Sequence, residues 1–390
     1  MVVFGSSPSL ISWTATQLEA MTTIAINGFG RVGRNVFDLA LDNPNISVVA
    51  INDPFIDAEY IAYLIKHDSA TRRNGKKRSV EVRAGGNSAL MGSLGGTAGS
   101  PMSSMSSNMG SRHKEPQAIM VDDRIIDVFA FSDPSAVPWA ETKAQYVIDC
   151  SGVFTTVERA SSHLAGGASR VIIAAPSADA PTLIMGANEE TFKKSYQIMA
   201  CGSCTALALA PALKMLQDSV GVKDVVFTAI HAATAQQGVV DGTNAKDYRL
   251  GRAATENIVP CSTGAIKTLN KVIPQLNGKV HATAIRVPVS QGSLLDVTVT
   301  LDKPTPKANM DALFAQASED PRYGKIIGVT KDPVVSSDMI GDTHSCIYDQ
   351  SSSQPIGDDN TRHKLLLWYD NERGYAARLI DLVIMTASEW

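Results

Sequence analysis

Apolar and polar residues in the first part of the chain follow one order: an apolar run, a glycine-containing turn, an amphipathic segment and a second apolar run. The runs at Thr22–Asn27 and Val48–Ile51 have the length and composition of buried strands. Between them, Arg31–Leu41 spaces its apolar residues so that they share one face of a helix. This order predicts a strand–helix–strand unit, which implies a parallel sheet with a right-handed crossover.

The pattern continues as strands and changes character near Val222. In the first part, further strands are predicted at Val80–Val82, Arg124–Phe129, Tyr146–Cys150 and Arg170–Ala174. In the second part, strands are predicted at Val225–Ile230, Ala282–Val287 and Leu294–Leu301, and helices at Gly264–Val272 and Ala308–Ser318. The final segment, Asn371–Trp390, has apolar residues at helical spacing, and we expect it to pack on the first domain. The sequence therefore predicts an α/β first domain and an α+β second domain dominated by a sheet.

Composition fits a folded protein of this size. The chain has 390 residues, of which 44% are hydrophobic and 19% charged, enough for two domains with their own cores. A net charge of −4 argues against general affinity for nucleic acid or anionic membranes. The 5 cysteines lack paired spacing, which predicts a reducing compartment without disulfides or a metal site. No apolar stretch is long enough to span a bilayer.

Two segments lack any helical or strand periodicity. Residues 1–21 are rich in Ser and Thr and contain neither Lys nor Arg, whereas signal and transit peptides need positive charge. We expect a disordered extension there and the cytoplasm as the location. Residues 84–112 are rich in Gly, Ser and Met, so they cannot bury enough apolar surface to offset the entropy of ordering. We expect these residues to form a disordered insertion in the first domain.

The turn after the first strand has the pattern of a dinucleotide-binding loop. It consists of Gly28, Phe29, Gly30, Arg31, Val32 and Gly33. Glycines at these positions permit a sharp turn and a close approach of a pyrophosphate to helix amides. Asp53 follows 20 residues after Gly33, where a carboxylate accepts hydrogen bonds from ribose hydroxyls and repels a 2′-phosphate. The sequence therefore predicts a Rossmann-type domain that binds NAD rather than NADP.

A cysteine and a histidine later in the chain suggest the chemistry. Cys204 lies at the start of an apolar helical pattern, with Ser203 as a plausible N-cap residue. A thiol at a helix N-terminus ionises more easily, and His231 could stabilise the thiolate and exchange protons with it. Together with the dinucleotide loop, this pair predicts covalent oxidation of an aldehyde with a nicotinamide cofactor.

Further motifs occur in order along the chain. They are INDPFIDAEY, SGVFTT, APSADAP, SCT, IHAAT, NIVPCSTGAIK, VIPQLNGKV, RVP, VVSSD, DTHS and WYDNERGY. With INGFGRVGRN they resemble the glyceraldehyde-3-phosphate dehydrogenase family, and the resemblance covers residues 22–390 apart from 84–112. It implies that Cys204 attacks an aldehyde phosphate with His231 as its base. Hydride transfer to NAD would leave a thioester, which inorganic phosphate would cleave to an acyl phosphate.

The resemblance also implies binding residues and an assembly. The substrate and the attacking phosphate would contact Ser203, Thr205, Thr234, Thr263, Gly264, Arg286 and one of Arg249 and Arg252. The cofactor would contact the dinucleotide loop, Asp53, Ser151, Gly152, Asn371 and Tyr375, with Asn371 orienting its carboxamide. A homotetramer would bury the loop around residues 233–255 between subunits. Residues 22–203 and 370–390 would form the NAD-binding domain, and residues 204–369 the catalytic domain.

Several residues depart from the family pattern and leave alternatives open. They are Ser132, Cys201-Gly202, Ala206-Leu207-Ala208, Gln236, Val289 and Arg373. We expect an active enzyme with weakened cofactor or substrate binding. One alternative is an erythrose-4-phosphate dehydrogenase, in which water replaces phosphate. Another is a weakly active or inactive paralogue that serves as a scaffold or binding protein.

Overall fold

The computed structural model describes residues 21–69, 77–84, 117–245 and 247–389. The predicted extension over residues 1–21, apart from Met21, and the predicted insertion, apart from Ala84, lie outside these ranges. Within them, no helix combines the length and apolar character needed to cross a membrane.

The first sheet has eight strands in the order β3-β4-β5-β2-β1-β6-β7-β8. These strands are β1 (Thr22–Asn27), β2 (Ile46–Asn52), β3 (Val80–Ala84), β4 (Gln117–Val121), β5 (Arg124–Phe129), β6 (Tyr146–Asp149), β7 (Arg170–Ile173) and β8 (Ile198–Ala200). The run from β5 to β8 is parallel, whereas β3, β4 and β5 form antiparallel pairs at one edge. From β1 the chain adds strands toward one edge of the sheet, and from β6 it adds them toward the other edge. Open α/β sheets bind ligands at such a reversal, here between β1 and β6.

The second sheet has the strand order β10-β11-β9-β12-β16-β14-β13, and β15 pairs with β16. These strands are β9 (Val222–Ala232), β10 (Val259–Cys261), β11 (Val280–Val287), β12 (Ser293–Leu301), β13 (Ile327–Thr330), β14 (Cys346–Asp349), β15 (Gln354–Ile356) and β16 (Arg362–Tyr369). Most of its pairs are antiparallel, but β9 runs parallel to β11 and β13 runs parallel to β14. Buried and partly exposed residues alternate along β12, as expected for a sheet with only one face in the core.

Seven α-helices cover the sheets within the described ranges. They are α1 (Arg31–Asp42), α2 (Ala58–His67), α3 (Val157–Ala165), α4 (Cys204–Ser219), α5 (Ala265–Val272), α6 (Lys307–Glu319) and α7 (Arg373–Ser388). Helix α7 packs on α1 and also touches α4 and β1, so the chain returns to the first sheet after completing the second. One apolar cluster includes buried residues from both sheets, such as Ile24 and Leu295.

These elements confirm the predicted fold class, a Rossmann-type parallel sheet joined to a sheet-dominated α+β region. The strands at Thr22–Asn27 and Arg124–Phe129 match their predicted bounds, and the final segment is helical and packs on α1, as expected. The strand predicted at Val225–Ile230 is longer, running from Val222 to Ala232. Helices α2 and α3 were not predicted, although Asp57 and Thr156 accept hydrogen bonds as their N-cap residues.

Candidate active site

The sulfur of Cys204 meets the imidazole of His231 at the junction of α4 and β9. Ser203 caps α4 by accepting a hydrogen bond from the Ala206 amide at 3.2 Å, so Cys204 becomes the first residue of the helix. The Cys204 Sγ lies 3.3 Å from His231 Nε2. Two residues that are 27 positions apart are thus in hydrogen-bond contact, in the geometry that a thiol and its general base require.

Register in the second sheet brings Arg286 beside this pair. Strands β9 and β11 run parallel with Arg286 opposite His231. The Arg286 Nη1 lies 2.5 Å from His231 Nδ1 and donates to the carbonyl of Ala232 at 3.0 Å. The same carbonyl lies 2.8 Å from His231 Nδ1. Arg286 can only donate, so Nδ1 carries a proton for this carbonyl, and leaves Nε2 free to act as a base, once the guanidinium turns away from Nδ1.

Burial and the arginine charge control the protonation of the pair. Burial, together with the positive charge of Arg286, lowers the pKa of His231 to about 4. Burial raises the pKa of the Cys204 thiol, opposed by Arg286 and the Thr205 amide. The expectation that Cys204 ionises more easily than an ordinary cysteine was therefore wrong for this site, because desolvation outweighs the helix N-terminus. At neutral pH the pair holds a thiol and a neutral imidazole, which can accept the thiol proton.

Replacing Arg286 with glutamine tests this account of the charges. The nearby cation favours the thiolate and disfavours the imidazolium, so its loss raises the pKa values of both Cys204 and His231. We expect the midpoint of Cys204 alkylation by iodoacetamide to move upward by about one pH unit. Arg322→Gln removes an equally charged group paired with Glu189 on the surface, and it should leave the midpoint in place. An unchanged midpoint in Arg286→Gln would contradict the assignment.

In the part of the chain that the structure describes, the two other arginines predicted to contact phosphate, Arg249 and Arg252, are not bonded to the Cys204–His231 pair. Arg252 is paired with Asp241 at 2.9 Å and its side chain is 59% exposed. Arg249 lines a separate cleft of about 390 Å³ with Cys261 and Ser262. Within the described ranges, no hydrogen bond joins either arginine to Cys204 or His231.

Two of the hydroxyl groups among the predicted phosphate contacts, those of Thr205 and Thr263, already have partners. Thr263 accepts from the Ala265 amide at 3.2 Å and helps begin α5, next to the exposed Gly264. The Thr205 hydroxyl lies 3.3 Å from the Tyr369 hydroxyl and is buried. The amide of Thr234 donates to the side chain of Gln237. A hydroxyl can make more than one hydrogen bond, so these contacts leave a role in phosphate binding open for Thr234 and Thr263.

The glycine loop fits a dinucleotide pyrophosphate. Gly28 has φ +90°, and a Cβ there would lie 2.8 Å from the Ser151 amide nitrogen. At Gly33 a Cβ would lie 2.1 Å from the Gly28 carbonyl oxygen, so this position allows α1 to pack against β1. A Cβ at Gly30 would meet nothing within 4 Å, which leaves open space at the N-terminus of α1. The first-turn amides of α1, including Val32, thus form an accessible anion site.

Residues around the loop hold its shape. Asp53 accepts from the amides of Phe29 at 2.9 Å and Phe55 at 3.0 Å, and its remaining lone pairs can accept from a ribose. Ser151 donates through its amide and its hydroxyl to Asp149, and Gly152 follows with φ +69°.

The side chain of Arg31 is not available to the cofactor. It forms ion pairs with Glu372 at 2.6 Å and Asp68 at 3.4 Å. Only the backbone of Arg31 can therefore contribute to cofactor binding.

Asn371 and Tyr375 lie at the entrance to α7. Asn371 is 7% exposed, and its Oδ1 accepts from the Gly292 amide at 3.2 Å and the Ser293 hydroxyl at 3.1 Å. The Tyr375 hydroxyl donates to the carbonyl of Gly202 at 2.8 Å, two residues before Cys204. The start of α7 is thereby fixed next to Cys204.

Arg373, which departs from the family pattern, has its own buried partner. Its guanidinium donates to Asp38 of α1 at 2.5 Å, and both side chains are about one-tenth exposed. This ion pair ties α7 to α1, so the substitution is accommodated by a charge of opposite sign. Ser132 and Gln236 are exposed and Val289 is partly buried; nothing in the structure explains their divergence.

Four residues of the site were not predicted: Gln291, Ser293, Tyr369 and Asp370. Tyr369 meets His231 edge to face at 6.0 Å between ring centres, and burial raises its pKa. Asp370 accepts from Gln291 and from the amides that begin α7. The only sequence signal for Asp370 was its position next to Asn371. The other three residues are brought to the site by the pairing of strands in the second sheet, which the sequence does not show.

Two family models match separate parts of the chain. Residues 22–90 match the family model described as glyceraldehyde 3-phosphate dehydrogenase, NAD binding domain, and residues 203–371 match its C-terminal domain. Glyceraldehyde-3-phosphate dehydrogenase 1 of Schizosaccharomyces pombe is 44% identical over 95% of this chain and 99% of its own length. The glyceraldehyde-3-phosphate dehydrogenase of Podospora anserina is 41% identical over 93% of this chain and 97% of its own length. A chloroplastic enzyme of Arabidopsis thaliana is 42% identical over 93% of this chain and 77% of its own.

Proposed function

Because this chain belongs to the glyceraldehyde 3-phosphate dehydrogenase family, we propose that Cys204 and His231 carry out its NAD-dependent, phosphorylating oxidation of glyceraldehyde 3-phosphate. The observation that carries this assignment is the 3.3 Å contact between Cys204 Sγ and His231 Nε2 at the N-terminus of α4. The match to enzymes over nearly the whole chain favours this oxidation over a scaffold role or an erythrose-4-phosphate activity.

The first half of the reaction uses the pair as nucleophile and base. The Cys204 sulfur forms a bond to the aldehyde carbon while its proton moves to His231 Nε2. The carbonyl oxygen becomes an oxyanion, which the Cys204 amide and the His231 imidazolium can stabilise by hydrogen bonds. Since His231 starts neutral, it can take this proton across the whole neutral pH range.

The second half returns the cysteine to its thiol form. Bound NAD would supply the acceptor for the hydride, and loss of hydride from the substrate carbon would leave a thioester on Cys204. Inorganic phosphate then attacks the thioester carbon, the carbon–sulfur bond breaks, and an acyl phosphate leaves. His231 can return the proton to the departing sulfur, which completes the cycle.

The cofactor residues divide between two ends of the site. The loop Gly28–Gly33 and the first turn of α1 would hold the pyrophosphate, and Asp53 the adenosine ribose. Ser151 and Gly152 line the loop from the neighbouring strand. Asn371 and Tyr375 would hold the nicotinamide end near Cys204. The support for this division is the order of β1 and β6 in the sheet, which places the loop at the reversal of strand order.

The phosphate groups would be bound by residues that surround the catalytic pair. Arg286 would bind the substrate phosphate after leaving the Ala232 carbonyl, helped by Thr234. Thr263 and Gly264, with Ser203 and Thr205 at the helix start, would receive the attacking phosphate. Arg249 suits an anion better than Arg252, because Arg252 already pairs with Asp241. Residues 204–369 would form the catalytic domain, and residues 22–203 with 370–390 the NAD-binding domain.

In a homotetramer, the loop around residues 233–255 would be buried between subunits. Its side chains Val239, Val240 and Tyr248 are 72%, 74% and 88% exposed in the single chain, which is costly for apolar groups in water. Light scattering after size exclusion should give the mass of four chains, and a monodisperse monomer would contradict this assembly. We place the enzyme in the cytoplasm, which fractionation of the source cells would test.

A single assay separates the candidate functions. NADH formation from glyceraldehyde 3-phosphate should depend on inorganic phosphate. Turnover that is indifferent to phosphate would indicate hydrolysis of the thioester and favour the erythrose-4-phosphate type of reaction. Folded protein that binds NAD without turnover would favour the scaffold role.

A further inference from the structure

Ser293 occupies a central position between the two halves of the active site. It is the first residue of β12, which lies between β9 and β16 in the second sheet. Leu294 pairs with Ile230 on one side, and Ser293 pairs with Tyr369 on the other. Its side chain is 1% exposed, so water does not compete for its hydroxyl. Strand β9 carries His231 and the chain leaving β16 carries Asn371, so Ser293 lies between the base and the predicted carboxamide ligand.

The Ser293 hydroxyl is hydrogen-bonded in both directions. It accepts the amide proton of Ala232 at 3.1 Å and donates its own proton to Asn371 Oδ1 at 3.1 Å. A serine hydroxyl has one proton, so these two bonds are compatible only in this direction. The hydroxyl is therefore a direct link between the strand of His231 and the side chain of Asn371.

This link decides which end of the Asn371 amide faces the cofactor. Oδ1 also accepts the Gly292 amide proton at 3.2 Å, so two donors converge on it. A reversed amide would set its NH₂ group against the Gly292 amide, which can only donate, and would turn the Ser293 proton away from Asn371, at the cost of buried hydrogen bonds. The fixed orientation leaves Nδ2 of Asn371 as the atom that can donate to a carboxamide oxygen.

The turn that supplies these donors is itself held in place. Gly292 has φ +87°, and a Cβ there would lie 2.1 Å from the Ser336 carbonyl oxygen, so the turn requires glycine. Gln291 Nε2 donates to both carboxylate oxygens of Asp370, at 2.8 and 3.0 Å. Asp370 also accepts the Glu372 amide at 2.9 Å. The turn is thus tied to the start of α7 on either side of Asn371.

The opposite end of the link reaches the base. Ala232, whose amide bonds to Ser293, offers its carbonyl to His231 Nδ1 at 2.8 Å. Any displacement of Ser293 would therefore affect both the imidazole ring and the Asn371 amide.

We propose that Ser293 is a positioning residue that joins His231 to Asn371 and thereby selects the face of the nicotinamide ring that receives hydride. This inference rests on the proposed function, because it assumes that Asn371 holds the carboxamide. Selection follows from the fixed amide: a carboxamide bound to Nδ2 in one orientation presents one face of its ring to the carbon on Cys204.

The test is Ser293→Ala, assayed with glyceraldehyde 3-phosphate deuterated at the aldehyde carbon. In the wild type, all deuterium should appear on one face of the NADH product, as read by proton NMR. In Ser293→Ala we expect deuterium on both faces and a KM for NAD about tenfold higher, matched by the same rise in the Kd for NAD titrated without substrate, the effect of losing a buried hydrogen bond. Ser345→Ala is the matched control: that serine is 3% exposed, and its hydroxyl has no partner among the described residues. It should leave the labelling and the KM unchanged.

A second variant covers a failure of Ser293→Ala to fold. Ser293→Cys keeps nearly the same shape but offers a weaker donor, so it should shift both readouts in the same direction by less. Single-face labelling with an unchanged KM in a folded Ser293 variant would overturn the inference while leaving the proposed function standing. Absence of NADH formation in the wild type would instead overturn the proposed function.

Discussion

Replacing Cys204 with serine should lower kcat for NADH formation by about 10⁴-fold or more. Removing a covalent nucleophile abolishes the whole covalent route, and a serine hydroxyl with a neutral imidazole beside it is a far weaker nucleophile than a thiolate. The measurement is steady-state NADH formation at saturating aldehyde, NAD and phosphate. In the absence of phosphate, mass spectrometry should show an acyl adduct on the wild type and none on the variant.

The variant must be shown to be folded and able to bind NAD. Cys204 sits at a capped helix start and its replacement removes no backbone hydrogen bond, so NAD should raise the melting temperature of the variant and the wild type alike. Cys346→Ala serves as the control: this cysteine is fully buried in β14, away from His231, and its loss should cost about 1 kcal/mol of stability and little activity. Substantial NADH formation by Cys204→Ser would disprove the covalent mechanism.

The fold was predictable where the apolar pattern was regular. Strands Thr22–Asn27 and Arg124–Phe129 are continuous runs with clear ends, and their bounds agree with the structure. Helix α2 was missed because its apolar and polar residues are mixed, and two of its tyrosines are half exposed. Its N-cap, Asp57, was nevertheless a usable signal, since its side chain accepts the Tyr60 amide.

The members of the site were easier to predict than their arrangement. Cys204 and His231 came from local sequence, and they are in contact. The approach of Arg286 to His231 depends on the register between β9 and β11, which long-range packing determines. Ser293 remained hidden for the same reason: nothing near it in sequence indicates that it bonds to both Ala232 and Asn371.

Protonation could not be predicted from position alone. A helix N-terminus lowers a thiol pKa, but the degree of burial is set by the whole fold, and burial prevails at Cys204. Arg373 gives a similar lesson, because a charge that breaks the family pattern is neutralised by Asp38 on a distant helix. In both cases, residues far away in the sequence decide the electrostatics.

Replacing His231 with asparagine should lower kcat by about 10²- to 10⁴-fold, the usual contribution of a general base. The remaining activity should also depend more strongly on pH. In the wild type the base form of His231 is present at every pH well above about 4, so the imidazole can accept the thiol proton. Without it, the reaction must wait for Cys204 to ionise to water, and burial raises the pKa of that thiol. The activity of the variant should therefore rise with pH up to pH 9, whereas that of the wild type should level off earlier.

His281→Asn is the matched control, because His281 is exposed on β11 and lies outside the site. It should keep both the rate and the pH profile of the wild type. The base and the cofactor share one site, so loss of the base must be distinguished from damage to the cofactor site. If only the base is lost, the His231 variant should keep its KM for NAD while its kcat falls. A His231→Asn enzyme with the wild-type pH profile would mean that another group takes the thiol proton, and the 3.3 Å contact would then be structural rather than catalytic.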